Sequence, residues 1–253
     1  MAKMTDRYEN KNLINLAKDK YEQKQRSTIP SEIITLTSEG KIYSDSSILS
    51  SGKIEMRYMT AYDEDILTNA SYVKEGVVLD KLLESLIVTD VDLDDIAQVD
   101  KDGLILNARI LSYGAEYPVQ VIDPTTKKQS EQVIDLSKIK TKTIDITSDE
   151  HGEFEYTTKT HSIKFKYPTI SQSKGLSTIS DFLKSIIIEV NGLRKPADID
   201  HFLKYEFLVK DSKEFQSYIL DNTPTILLEY EFEGDDGSTF TAGFQVGANF
   251  FWS

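Results

Sequence analysis

At 253 residues the chain suffices for one large domain or two small ones, and its 39% of apolar residues supports a real core. A net charge of −13 and a pI near 4.8 repel phosphate backbones, which argues against general nucleic-acid binding. With no cysteine there are no disulfides and no thiolate ligands or nucleophiles, and no apolar run nears the roughly 18 residues that span a bilayer.

The opening MAKMTDRYENKN lacks the apolar core of a signal peptide, so the expectation is a protein kept inside the cell or built into a particle there. Residues 1–28 read as a helical arm with a thin stripe of Leu13, Leu16, Ala17 and Tyr21. So little apolar surface makes the helix marginal alone, so the arm either docks on a partner or frays. Around residues 33–38 a period-two alternation predicts a strand, Gly40 marks a turn, and 44–51 read as an exposed loop.

The stretch from Gly52 to Val88 reads as one strand feeding two packed helices. Ile54, Met56 and Tyr58 alternate with Glu55, Arg57 and Met59. Thr60 sits at an N-cap with Asp63 three residues on, and Asp63, Glu64 and Asp65 put negative charge on the first turn. The acidic triple is read as capping on a solvated helix end rather than as a metal site. Tyr62, Ile66, Leu67, Ala70 and Val73 fall on one helical face, Gly76 ends that helix, and Val78, Leu79, Leu82, Leu83 and Leu86 form a second stripe.

Asp90, Asp92 and Asp94 have the spacing of a calcium loop, but Asp95 stands where glycine is needed and Lys101 where glutamate is needed. A helix through Leu104 and Leu111 ends at Gly114. From 117 to 167 the period turns to two: strands at 117–121 and from 133, then TIDIT, EFEYTTK and HSIKFKY, with Phe154 and Tyr156 facing Ile163, Phe165 and Tyr167. Residues 168–178 read as a linker or loop. An amphipathic helix runs from Leu176 to Val190, a second starts at Pro196, and a third is capped by Asp211. The C-terminal hairpin alternates Tyr230 and Phe232 with glutamates, returns through Phe240, Ala242 and Phe244, and leads to Phe250, Phe251 and Trp252. Those last three aromatics either plug the core or anchor a partner.

These elements predict an α+β fold: helical segments with β-hairpin ribbons, read as an arm (1–28) and two modules (29–167 and 168–253), either similar to each other or parts of one long α+β domain. His151, His161 and His201 have no metal-like spacing, and no nucleophile elbow, P-loop or dinucleotide-binding glycine pattern is present. Neither a cofactor nor a catalytic residue is expected. The competing expectation is a small-molecule-binding or carboxylate-dependent hydrolytic domain, which a deep cleft with converging acids would favour.

Six stretches carry a resemblance: IPSEIITLTSEGKIY (29–43), GKIEMRYMTAYDEDILTN (52–69), DGLILNARILSYGAEYPVQV (102–121), EQVIDLSKI (131–139), KDSKEFQSYILDNTP (210–224) and GANFFW (247–252). In this order they resemble the baseplate hub assembly family of T4-like contractile-tailed bacteriophages. The resemblance implies a non-enzymatic hub component or hub assembly factor, made late in infection and located in the host cytoplasm or the virion tail. The implied partners are other baseplate or tail proteins, with no nucleic acid and no membrane span. The family's ribbons often carry paired cysteines; here DPTTKK and EGDDG stand at those turns, so packing must replace the roughly 10–16 kcal/mol of a structural zinc. Candidate contact residues are Leu13, Leu16 and Tyr21 on the arm, Asp90, Asp92, Asp94 and Asp95 on the acidic segment, and Phe250, Phe251 and Trp252.

Overall fold

The structure is a computed structural model, and the residues it describes are 29–234 and 237–252. The predicted arm, with Leu13, Leu16 and Tyr21, lies outside them. Strand β1 (Ser31–Thr35) pairs antiparallel with β2 (Lys53–Arg57), with Ile34 opposite Ile54. Ile34, Ile54 and Met56 are buried and Ile33 is exposed, as alternation about one core-facing side requires. The intervening loop is exposed over most of 44–51, as expected, with Leu49 alone of these residues buried. Ile48–Ser51 form a 3-10 helix capped by Ser47. Gly40 closes this loop at φ 81°, where an added Cβ would lie 2.4 Å from the Ser50 carbonyl oxygen.

Helices α1 (Ala61–Thr68), α2 (Ala70–Glu75) and α3 (Val78–Leu86) follow. The single stripe expected through Val73 is broken at Asn69, whose side chain accepts from the amides of Ser71 and Tyr72 and starts a new helix. Tyr62 is therefore 76% exposed, and Leu67 is the apolar residue of α1 that is buried. Helix α3 matches its stripe, burying Val78, Leu82, Leu83 and Leu86.

The acidic triple divides. Glu64 and Asp65 are exposed, but Asp63 is fully buried rather than on a solvated end. Arg57 reaches it in a fork, Nη1 to Oδ2 and Nη2 to Oδ1, each 2.8 Å. Ser85 of α3 donates to Asp63 Oδ1 at 2.8 Å and its carbonyl accepts from Arg57 Nε at 3.0 Å. One pair thus joins β2, α1 and α3. Burial alone would raise the Asp63 pKa, but the bonds from Arg57, the Thr60 amide and Ser85 outweigh it and hold the carboxyl down at about 2.

Helix α4 (Gln98–Tyr113) follows a 3-10 turn at Leu93–Asp95 and ends at Gly114. Its first turn carries a second buried acid. Asp100 accepts from the Ser38 amide at 2.7 Å, the Ser38 hydroxyl at 2.9 Å and the Tyr43 hydroxyl at 2.7 Å, tying the 36–43 loop to the helix. Burial, stronger than these bonds, pushes the Asp100 carboxyl up. The helix leads into a hairpin of β3 (Glu116–Ile122) and β4 (Gln129–Asp135).

TIDIT is not a strand. Only β5 (Thr141–Lys142) pairs, with β9 (Thr225–Ile226), because no neighbouring edge continues the ladder, although Ile144 is still buried. Strands β6 (Phe154–Thr157) and β7 (Ser162–Phe165) pair with Phe154 opposite Phe165. The helix expected through Val190 stops early: α6 (Ile179–Ile186) gives way to β8 (Ile187–Val190), which adds a third strand beside β7. The β-branched run Ile186-Ile187-Ile188 suits a strand, and the open β7 edge supplies its hydrogen bonds. The ribbon aromatics Phe154 and Phe165 are consequently buried. The predicted linker carries a short helix, α5 (Ile170–Ser173), anchored by Ile170 N to Ile96 O at 2.8 Å. Helices α7 (Pro196–Tyr205) and α8 (Val209–Asp221) complete the helical set, the latter capped at Leu208 rather than Asp211. The chain closes with a hairpin of β10 (Glu229–Glu233) and β11 (Thr239–Gly243) and a 3-10 turn, Ala248–Phe251.

Helices and small antiparallel sheets make the fold α+β. Two apolar cores organise it. The first unites β1, β2, α3 and α4 with the inner faces of the β3–β4 and β10–β11 hairpins, and with Phe250 and Phe251. The second unites the β6–β7–β8 sheet with α6, α7 and α8 through Phe165, Ile186, Phe202 and Phe215. Each core draws on residues from both sides of residue 168. No helix among the described residues is long and apolar enough to cross a membrane.

Replacing Asp63 by Asn leaves the Arg57 cation buried without its counter-charge and is expected to cost about 3–5 kcal/mol in urea unfolding. The native Asp63 pKa lies below its unfolded value of about 3.9, so its contribution is complete above that value and lost as pH falls toward 2. The parent should therefore lose stability more steeply than Asp63→Asn between roughly pH 4 and pH 2, as followed by fluorescence-detected unfolding.

Candidate partner-binding surfaces

The C-terminal aromatics separate into two roles. Phe250 and Phe251 are 1% and 2% exposed, whereas Trp252 is 49% exposed. The 3-10 turn seats Phe250 against Tyr117, with ring centroids 4.8 Å apart, and Phe251 edge-on to Tyr113 at 6.4 Å. Arg109 holds this arrangement from α4. Its Nε donates to the Phe250 carbonyl at 3.3 Å and its Nη1 to the Gly114 carbonyl at 3.2 Å. Its guanidinium lies 4.7 Å from the Tyr113 ring centroid and 5.7 Å from that of Tyr117. Among the described residues no carboxylate pairs with it. Burial lowers its pKa, and the charge interaction with the Tyr113 and Tyr117 side chains works against that shift. Two of the three aromatics thus lock the chain end into the first core, and the indole of Trp252 is the part left facing solvent.

The acidic segment remains on the surface. Asp90, Asp92, Asp94 and Asp95 are all exposed while Leu93 and Ile96 between them are buried. Asp92 accepts from the Asp94 amide at 3.0 Å, and Asp94 pairs with Lys174 at 2.7 Å. Lys174 also approaches Asp80 at 3.9 Å, and Asp80 pairs with Lys101. Asp92 therefore serves turn capping and Asp94 ion pairing. Among the described residues no group of three or more acidic, histidine or cysteine side chains is placed to hold a metal.

Several arrangements had no sequence signal. His161 and His201, separated by 40 positions, converge on Glu206, at 3.4 Å and 2.9 Å. Glu153 is gripped by both terminal nitrogens of Arg194 at 2.9 and 2.8 Å, which holds its carboxyl below the usual range. Arg194 also meets Glu189 at 2.7 Å. A capping pattern hinted at Asp63, but nothing in the spacing linked Arg57, Arg109 or Glu153 to their partners.

Acids gather at two hollows, and at one of them, of about 280 Å³, Glu39, Asp45, Asp149 and Glu150 are all exposed. At the other, Glu229, Glu231 and Glu233 share the outer face of β10 with Lys138 and Lys140 beside them, around about 470 Å³ of open space. All three glutamates are exposed, so the hollow is a shallow acidic face rather than a closed cleft. Apolar side chains also reach the surface, notably Ile122 and Val133 on the outer face of the β3–β4 hairpin.

The geometry is that of an α+β body whose buried polar groups brace the fold and whose acidic and aromatic groups are on show. A family comparison gives the class: the family described as T4 bacteriophage base plate protein matches residues 13–236. The chain belongs to this family. No curated protein and no solved structure matches it.

Phe250→Ala is expected to destabilise the chain by about 3–5 kcal/mol, and Trp252→Ala by no more than about 0.5 kcal/mol, in matched urea titrations.

Proposed function

We propose that the protein works through contacts with other baseplate and tail polypeptides, as a hub component or hub assembly factor, and that it makes and breaks no bond. The family match over residues 13–236 carries this reading. The surface chemistry supports it. The carboxylates that line its two acidic hollows are all exposed to solvent, whereas a carboxylate-dependent hydrolase needs its acids brought together out of water. Asp90, Asp92, Asp94 and Asp95 offer an acidic patch and Trp252 an amphipathic anchor, the kinds of group that give interfaces their steering and their central contacts. The arm residues Leu13, Leu16 and Tyr21 are proposed as a further contact. On this reading the protein resides in the host cytoplasm during assembly, in the finished tail, or in both.

Mass spectrometry of finished particles separates the two roles: a hub subunit is retained at fixed stoichiometry, an assembly factor is absent from particles yet captured with tail proteins from infected cells. Trp252→Ala is expected to weaken that capture by about tenfold while the unfolding midpoint is unchanged. Turnover of a substrate by the purified chain, or unaltered assembly of tails without it, overturns the proposal.

A further inference from the structure

A groove of about 470 Å³ runs between the two hairpins of the first core, walled by residues 117–122 of β3 on one side and by Ala242, Gly243, Phe244 and Gln245 on the other, with Phe232 also lining it. Both walls are strand edges. β3 pairs with β4 alone and β11 with β10 alone.

Register shows which backbone groups face the groove. In antiparallel pairs the residues that exchange hydrogen bonds alternate with residues whose N–H and C=O point away. Phe244 N donates to Leu228 O at 2.9 Å, so in the register of Glu229 opposite Gly243 it is Thr241 and Gly243 that aim outward. Leu136 N donates to Ala115 O at 2.8 Å and Asp123 N to Lys128 O at 3.0 Å. That phase turns Gln120, Ile122 and the Pro118 carbonyl to the free edge of β3. Pro118, which has no N–H, falls at such an outward position, where it costs the ladder nothing. Among the described residues none of these outward backbone groups has a backbone partner. Gly243 adds a second sign. A Cβ there would meet only the Leu228 carbonyl, at 3.4 Å, so the fold itself leaves room for a side chain, and a bare backbone at a strand edge permits close approach of another.

We propose that this groove receives an extended segment of a partner protein as an added β-strand, bridging the two hairpins into one sheet. The segment alternates small apolar residues with lysine or arginine. Its inward side chains would cover Val119, Val121, Phe232 and Ala242, which belong to the first core. Its outward side chains would lie two strands from Glu131 on β4 and from Glu229 and Glu231 on β10, within reach of a long basic side chain. Residues 225–247 contain five acidic residues and no lysine or arginine. The proposal rests on the protein-contact reading, and particle composition tests that reading separately.

The probe is a capped, fluorescently labelled peptide of about eight alternating valines and lysines, titrated against the full chain by fluorescence anisotropy. Two controls accompany it: the same residues in two blocks, and the alternating peptide with N-methyl groups on its valine amides. Saturable binding of the alternating peptide, with both controls weaker by about tenfold or more, is expected. Gln120→Pro removes an outward N–H, along with side-chain bonds to Glu131 and Gln129 that Gln120→Ala removes without touching the backbone. Only the proline variant should weaken the peptide similarly while leaving the circular dichroism spectrum intact; if that variant misfolds, the N-methylated peptide on the parent chain carries the comparison. Equal binding by all three peptides means charge attraction alone and overturns strand addition, as does absence of binding at about 1 mM.

Discussion

The buried fork between Arg57 and Asp63 fixes the arrangement on which the first core is built. A buried carboxylate and guanidinium are tolerated only when each finds its charge and its hydrogen bonds inside the protein. Here Asp63 takes bonds from Arg57, Ser85 and Thr60, and Arg57 also reaches the carbonyls of Tyr58 and Ser85. The geometry admits one placement of β2 against α1 and α3. Packing of Leu82, Leu83 and Leu86 on Ile54 and Met56 then follows, because the helix that carries them has already been oriented.

Asp100 and Arg109 repeat the device at the two ends of α4. At the N-terminal end a carboxylate collects donors from the 36–43 loop; at the other a guanidinium collects carbonyls from the chain end and from Gly114. The signs match the helix dipole at both ends, negative at the first and positive at the second, but Arg109 lies before the last turn, where the dipole acts more weakly. Arg109 is oriented instead by ring faces and carbonyls, so its role is to hold the chain terminus in register with β3. Polar groups thus specify which loops and ends meet the helix, while apolar burial supplies the driving force.

Local pattern was legible wherever a segment's surroundings follow from its own residues. The alternation at Ile54 and Met56, the stripe of α3, both outer hairpins and the stops at Gly76 and Gly114 are all of this kind. Misreadings arose where a distant segment decided. Ile187 continues a helical stripe, yet the open edge of β7 recruits it into a sheet. TIDIT alternates like a strand but has no neighbour with a free edge along most of its length. Asn69 ended a helix early because its side chain offered the next amides a bond that an unbroken helix would not have used. For the contact surfaces, exposure of Asp90 to Asp95 could be read from charge alone. The burial of Phe250 and Phe251 beside an exposed Trp252 could not, since three adjacent aromatics give no hint of which of them turns inward.

The bond from Arg109 to the Phe250 carbonyl spans 141 positions of the chain. At a ribosomal rate of about 5–20 residues per second, α4 is made roughly 7–28 seconds before the residues that seal its C-terminal end. For that interval Tyr113, Tyr117 and the apolar surface that Phe250 and Phe251 later cover stand open in a crowded cell. Newly made copies therefore pass through an obligatory sticky phase, and a nascent chain cut short anywhere upstream stays in it, ready to be cleared by proteases.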